Sequence, residues 1–273
     1  MIFRYPGGKS RLIPAIDAVL QNYLFDGDAF HDVFVGGGSV LMHVARTWPH
    51  SPLRANDLDP WMYSFWRTLV GDDAEFKELA RLVSRQPTME LFKSLRETEA
   101  GGHVDRAYRA VFFNRTTFSG IAGSGPIGGY GQTSQWRIDC RYNADRLVRE
   151  MRDWRHILLG RLEVYSLDGA RYASDTRECM YLDPPYYHQG PALYETHMTG
   201  AGHIRLAQVL YKTGRWALSY DDCEEVRELY GWATITDIPA RYSIRGKKYS
   251  WRENVEVIIT PSAVVAPWQP ELL

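Results

Sequence analysis

Cysteine is nearly missing: Cys140, Cys179 and Cys223 are the only three, and they lie far apart. An odd number argues against a disulfide framework, and with no CxxC pair there is no zinc signature, so no metal is expected. Long apolar runs are missing as well. A bilayer span needs roughly 18 or more such residues; no stretch reaches that, and no membrane is expected as a partner. Residues 1–12 lack the apolar segment of a signal peptide, which points to a reducing cytoplasm. Nor is there an excess of positive charge, with 32 Lys and Arg against 33 Asp and Glu. Any nucleic-acid partner must then be met by a local basic patch. A P-loop signature for a triphosphate is absent too.

What is present is enough for one large α/β domain, or one with an insertion: 273 residues, 45% hydrophobic. A turn at Pro6-Gly7-Gly8 precedes an expected helix over 10–24, with Leu12, Ile13, Ile16, Val19 and Leu20 on one face. Pro14 fits only its first turn, which argues for a later start than Ser10. A short strand ending at Val35 leads through Gly36-Gly37-Gly38 to a helix beginning near Ser39. A second strand ends at Ala55, and a helix follows over 60–69. This rhythm predicts parallel β/α units. Residues 72–113 read as helical and charged, and 119–135 are rich in Gly, Ser and Thr, so 73–150 is taken as an insertion with a mobile loop. Strands return at 162–166, 180–182 and 216–219, with helices near 200–213 and 221–230. The apolar stretch 254–260 follows the polar residues 241–252, as in a hairpin closing a sheet.

The chemistry concentrates at Tyr181-Leu182-Asp183-Pro184-Pro185-Tyr186. An apolar strand ends there, and two prolines forbid a ladder or a helix beyond it. The loop emerges at the carboxyl end of a strand, where open α/β sheets bind ligands. It presents an acid, backbone carbonyls and an aromatic ring. An Asp-Pro turn with a packing tyrosine is the ordinary alternative, but the four residues together favour a function. The exocyclic amine of a base is a poor nucleophile because its lone pair is delocalised. A carboxylate and a carbonyl accepting both amine hydrogens would localise that pair and stabilise the developing positive charge. Asp183 and the Pro184 carbonyl are the candidate acceptors, and Tyr186 the stacking face. Methylation at carbon 5 of cytosine instead needs a nucleophilic Cys, usually after Pro, and the chain has no Pro-Cys.

Asp183-Pro184-Pro185-Tyr186 resembles the DPPY motif of amino-methyltransferases acting on DNA. Three further segments resemble the Dam-type N6-adenine methyltransferases in order. Phe3-Arg4-Tyr5-Pro6-Gly7-Gly8-Lys9 resembles their aromatic–x–GGK motif. Asp32-Val33-Phe34-Val35-Gly36-Gly37-Gly38-Ser39 resembles acid–Pro–Phe–x–G–x–G–S, with Val33 in place of Pro. Asn56-Asp57 resembles the ND after the second strand. The resemblance implies a Rossmann-like S-adenosylmethionine-dependent methyltransferase sheet, mostly parallel and seven-stranded with an antiparallel last strand. Residues 1–72 and 151–273 would form the catalytic and cofactor-binding domain, and 73–150 a mainly helical target-recognition insertion. Catalysis would fall to Asp183, Pro184, Pro185 and Tyr186. The cofactor S-adenosylmethionine would meet Tyr5, Lys9, Phe34, Gly36, Gly38, Asp57, Asp168 and Asp183. Glycines after a strand admit close backbone approach, and an acid at the end of the next strand suits ribose hydroxyls. Asp57 could equally cap the helix near Pro60, Lys9 could be a solvated lysine, and Asp168 a surface turn.

The resemblance also implies double-stranded DNA as partner and direct transfer to N6 of a flipped-out adenine. A monomer or weak dimer in a bacterial or phage-infected cytoplasm, with a possible companion restriction endonuclease, is expected. The segment 112–120 resembles the family's N-R-x-x-F-x-G, which makes Asn114 and Arg115 candidate DNA contacts; a capped helix end with Arg115 in solvent is the alternative. A basic and aromatic stripe carries Arg241, Arg245, Lys247, Lys248 and Arg252 with Tyr242, Tyr249 and Trp251. A solvated hairpin explains that stripe almost as well. Arg137 and Arg141, after the glycine-rich stretch, are further candidates. N4 of cytosine and RNA adenine remain open as substrates, as does an inactive DNA-binding regulator on the same fold.

Overall fold

The computed structural model describes residues 1–4, 9–188, 198–240 and 254–262. Among these residues seven strands form one sheet: β1 (Phe30–Asp32), β2 (Leu53–Asn56), β3 (Leu162–Tyr165), β4 (Cys179–Leu182), β5 (Trp216–Asp221), β6 (Thr234–Ala240) and β7 (Asn254–Thr260). Their order is β3-β2-β1-β4-β5-β7-β6. β1 to β5 pair in parallel, and β7 runs antiparallel to both β5 and β6. The chain therefore has the expected mostly parallel, Rossmann-like sheet with its last strand reversed. Winding changes direction between β1 and β4, and the carboxyl ends of these two strands open a crevice of the kind that holds ligands in such sheets.

The period-2 pattern of the central strands assigns their two faces. Cys179, Tyr181, Ala217 and Ile258 pack into one apolar cluster; Met180, Leu182, Trp216, Leu218, Val257 and Ile259 pack into the other. Continuous apolar runs such as these are what a sheet covered on both sides requires. Among the described residues the α-helices are α1 (Ile13–Leu20), α2 (Ser39–Thr47), α3 (Pro60–Val70), α4 (Asp73–Val83), α5 (Met89–Glu97), α6 (His103–Thr116), α7 (Ala144–Leu158), α8 (Gly169–Ser174), α9 (Gly200–Leu210) and α10 (Glu224–Leu229). Side chains begin many of them: Asp59, Asp72, Thr88, Asn143, Asp168 and Thr199 each accept from backbone N–H groups of the first turn.

The segment 73–150 buries no separate core. Phe92, Phe112 and Phe113 join Phe65, Trp66 and Trp154 in the cluster that covers the sheet. Trp66 stacks on Trp154 with centroids 5.5 Å apart and planes 6° from parallel, and Trp61 stacks on Phe113 at 5.8 Å. Residue 150 lies within α7, so a continuous helix leads from this segment back to the sheet.

Several boundaries differ from the sequence expectation. β1 stops at Asp32 rather than Val35, because the backbone leaves the strand to build the glycine loop; Val33 and Val35 still donate to Tyr181 and Asn56 carbonyls at 3.0 Å. α1 starts at Ile13, with Pro14 in its first turn, and stops at Leu20. β5 runs on to Asp221, so α10 begins only at Glu224. Three elements were not anticipated, the 15-residue α7 among them. α8 has 6 residues, too few for a periodicity, and β6 carries Asp237 and Pro239, which only an edge strand accommodates. Among the described residues no helix is long and apolar enough to cross a membrane.

Candidate active site

One cavity lies at the crevice between the carboxyl ends of β1 and β4. The glycine loop makes one wall. Gly36 (φ +43°) and Gly38 (φ +69°) adopt the left-handed conformation, which costs little only without a Cβ. Gly38 has a second constraint: a Cβ there would fall 2.2 Å from the Trp66 ring. Trp66 also donates its Nε1–H to the Gly36 carbonyl at 2.9 Å, so α3 buttresses the loop from below. Phe34 lines the cavity, and its ring presses on Gly169, where a Cβ would meet it at 2.2 Å.

Acids line the same space. Asp57 Oδ2 accepts from the Gly36 N–H at 2.8 Å, and Oδ1 from the Asp59 N–H at 3.0 Å. Asp57 is therefore no helix cap; Asp59 caps α3, accepting from Trp61 and Met62. Burial, with Asp59 adding to it, pushes the Asp57 carboxyl up to about 7. Asp32, also in the cavity wall, is 2% exposed, and its Oδ1 has no hydrogen-bond partner among the described residues. Burial, and then the neighbouring Asp183 and Asp57, hold its carboxyl well above the usual range. Asn56, at the end of β2, clamps three strand ends: its Nδ2 donates to the Val33 and Leu167 carbonyls, and its Oδ1 accepts from Leu167 N–H.

Asp183, Pro184, Pro185 and Tyr186 form the opposite wall. Asp183 Oδ1 accepts from Ser219 Oγ at 2.9 Å, and Ser219 is itself 2.8 Å from the Tyr181 hydroxyl. Lys9 Nζ lies 3.0 Å from Asp183 Oδ1 and 3.2 Å from Glu256 Oε2, and donates to the Tyr186 hydroxyl at 3.1 Å. It also sits 4.9 Å from the centre of the Tyr186 ring. The Tyr186 hydroxyl in turn donates to Glu256 Oε1 at 3.3 Å. Burial works against the Lys9 charge, but Asp183, Tyr186, Tyr181 and Glu256 outweigh it and hold the ammonium well above the usual lysine range. Burial raises Asp183, while Lys9 and Ser219 oppose that rise.

Of the residues expected to touch a cofactor, Lys9, Phe34, Gly36, Gly38, Asp57 and Asp183 share this cavity. Lys9 is no solvated lysine; it is 5% exposed. Asp168 is not among the cavity's lining residues, and its side chain accepts from the Arg171 N–H at the start of α8. Tyr5 lies outside the described residues. Glu256 and Ser219 also reach this site without having been expected there, and Asp32, the acid of the glycine signature, had been given no role. Glu256 did leave a signal: it is a carboxylate set among Val257, Ile258 and Ile259.

The residues expected to meet DNA separate. Asn114 Oδ1 accepts from the Arg4 N–H at 2.7 Å, and its Nδ2 donates to the Arg4 and Gly120 carbonyls. Arg115 donates to the Ile2 carbonyl at 2.7 Å and to that of Met1. Both side chains are thus committed to the chain's own first residues. Burial and the nearby Arg4 push Arg115 down to about 10. Arg137 is exposed; Arg245, Lys247 and Lys248 lie outside the described residues. A separate open cleft of about 670 Å³ is lined by Arg4, Arg115, Arg141 and Arg146, with Asp139 and Asp145 at its side.

A family model, D12 class N6 adenine-specific DNA methyltransferase, matches residues 5–244. The Type II methyltransferase M1.LlaDCHI of Lactococcus lactis subsp. cremoris is 25% identical over 126 residues. That match covers 43% of this chain and only 41% of the relative's length. The solved rRNA methyltransferase aviRa from Streptomyces viridochromogenes aligns over 94% of this chain and 86% of its own, at 12% identity and a TM-score of 0.38.

Proposed function

The chain belongs to the D12 class N6 adenine-specific DNA methyltransferase family, and from that premise we propose that it transfers a methyl group from S-adenosylmethionine to N6 of an adenine flipped out of duplex DNA. The observation that carries this reading is the meeting of Asp183 and Tyr186 with the Gly36–Gly38 loop on the walls of one cavity. The residues suit the cofactor. It is cationic at sulfur and at its ammonium group, and the cavity offers the unsatisfied Asp32 Oδ1 and the Asp57 carboxyl. Bound there, S-adenosylmethionine supplies a methyl group on a sulfonium, an electrophile needing no covalent enzyme intermediate.

The chain's own residues prepare the nucleophile. Asp183 and the Pro184 carbonyl accept the two amine hydrogens of the base, drawing nitrogen toward tetrahedral geometry. Pro185 stiffens the loop, and Tyr186 stacks on the base. Ser219 and Lys9 hold Asp183 Oδ1 in one orientation before substrate arrives, and such preorganisation lowers the barrier.

For the DNA side, we read Arg141 and Arg146 of the open cleft, with exposed Arg137, as phosphate contacts. Arg245, Lys247 and Lys248 join them on the sequence argument alone, with 73–150 as the target-recognition part. The Type II relative supports looking for a companion endonuclease. A decisive variant is Asp183→Ala. It should lose about a hundredfold or more in kcat, while cofactor affinity read by calorimetry falls by far less. Turnover close to wild type would overturn the role given to Asp183.

A further inference from the structure

Glu256 does not belong to the sheet's apolar pattern. It lies on β7 beside Val257, Ile258 and Ile259, all of them buried, and is itself 3% exposed. A buried carboxylate is costly unless paired, and folding alone would be served by another apolar residue at that position. The antiparallel register sets Glu256 opposite Asp221 and Ile258 opposite Ser219. Ser219, Ile258 and Glu256 are then on the face of the sheet that also carries Tyr181 and Asp183. From that face the carboxylate reaches two catalytic groups at once. Oε2 is 3.2 Å from Lys9 Nζ, and Oε1 accepts from the Tyr186 hydroxyl at 3.3 Å.

We propose that Glu256 is a positioning residue for methyl transfer: it shares Lys9 with Asp183, so that Asp183 stays a strong acceptor for the base amine, and it anchors the stacking ring of Tyr186. This rests on the reading of Asp183 given above. A lone Lys9–Asp183 pair would close on itself, spending the negative charge of Asp183 on the ammonium. With two carboxylates on one ammonium the group keeps a net charge of one electron. That charge faces the nitrogen on which positive charge develops during attack. The second arm is geometric. A ring fixed only by packing can tilt, whereas one whose hydroxyl accepts from Lys9 and donates to Glu256 has a defined plane.

The titratable groups acting on Asp183 are Lys9, Asp32 on β1, Tyr181 on β4, Tyr186 in the loop and Glu256 on β7, with Tyr220 of β5 acting from the opposite face of the sheet. Lys9 lowers the Asp183 carboxyl and Glu256 raises it. Removing the charge of Glu256 should therefore shift the Asp183 titration to lower pH, a change that a purely structural role would not produce.

The test is Glu256→Gln, which keeps shape and hydrogen bonding and removes the charge. Methyl transfer to DNA should fall by about tenfold to a hundredfold in kcat, with cofactor affinity within about threefold. The acid limb of the kcat profile should move to lower pH. Carbon-13 NMR of the Asp183 carboxyl, recorded without DNA, should show the same downward shift. A kcat within about twofold of wild type with an unmoved titration overturns the proposal. Should the amide variant fail to fold, Glu256→Asp retains a charge near Lys9 but is too short to hold Tyr186 as well. Its kcat should fall by about threefold or more, and an unchanged kcat overturns the proposal. If the wild type methylates no DNA, the function proposed above falls, while the NMR titration still decides whether Glu256 governs Asp183.

Discussion

Substituting Gly38 by Ala puts the packing of the glycine loop to a numerical test. Three costs add. The left-handed φ of +69° costs an L-residue roughly 1–2 kcal/mol. A Cβ would stand 2.2 Å from the Trp66 ring, and forced overpacking of this kind costs about 1–3 kcal/mol. Trp66 cannot step aside, since it is fully buried and stacked 5.5 Å from Trp154. The loop must lift instead, breaking the Trp66 Nε1–H bond to Gly36, worth about 0.5–1.5 kcal/mol. The total is about 3 kcal/mol or more, or roughly 6–12 °C in melting temperature for a protein of this size. Because the lifted strand of backbone is the cavity wall, cofactor affinity should fall together with stability. Gly27→Ala is the control. Gly27 also has a positive φ, +96°, but a Cβ there meets nothing within 4 Å, so it should cost about 1–2 kcal/mol and leave cofactor affinity unchanged. Thermal melts and calorimetry on both variants decide the matter. Gly38→Ala with wild-type affinity and a loss no greater than that of Gly27→Ala would mean that Trp66 does not hold the glycine loop in place.

Other expectations follow from the same geometry. The Asp57 carboxyl titrates near about 7 in the fold against a usual 3.8. Between those values the folded protein holds a proton that the unfolded chain has released, so stability falls as pH rises through that window. Asp57→Asn should thus gain melting temperature relative to wild type as pH is raised from about 5 to about 8 without cofactor; a constant difference argues against it. Asn114→Ala removes three hydrogen bonds to Arg4 and Gly120. It should cost about 1–3 kcal/mol in a denaturant melt and leave the salt dependence of DNA binding as it was. Arg141→Ala with Arg146→Ala should act oppositely: near-native stability, weaker DNA binding, and a salt slope smaller by about 1 for each phosphate no longer neutralised.

How far the site was readable depends on how its parts are spaced along the chain. Asp183 to Tyr186 are contiguous, and their strand-then-proline setting declares a rigid loop at a sheet edge. The glycine loop was equally plain, as was the reversed β7, whose bounds match the expected 254–260. Contacts between distant segments were not readable. The tie from Lys9 to Glu256 joins opposite ends of the chain, and only strand order and register bring them together. Lys9 looked like a cofactor ligand or a solvated lysine because its partners could not be seen. Asn114 and Arg115 have the donors a phosphate wants, yet the carbonyls of Met1, Ile2 and Arg4 take them. The same side chains would serve either purpose, and tertiary placement alone decides between them.

The activity proposed for this chain leaves a methyl group on N6 of adenine in DNA. The direct measurement incubates the purified protein with radiolabelled S-adenosylmethionine and mixed-sequence duplex DNA, then digests the DNA to nucleosides. Label confined to N6-methyladenine is the expected result. Label in N4-methylcytosine, or none in DNA while RNA accepts it, would rule that activity out.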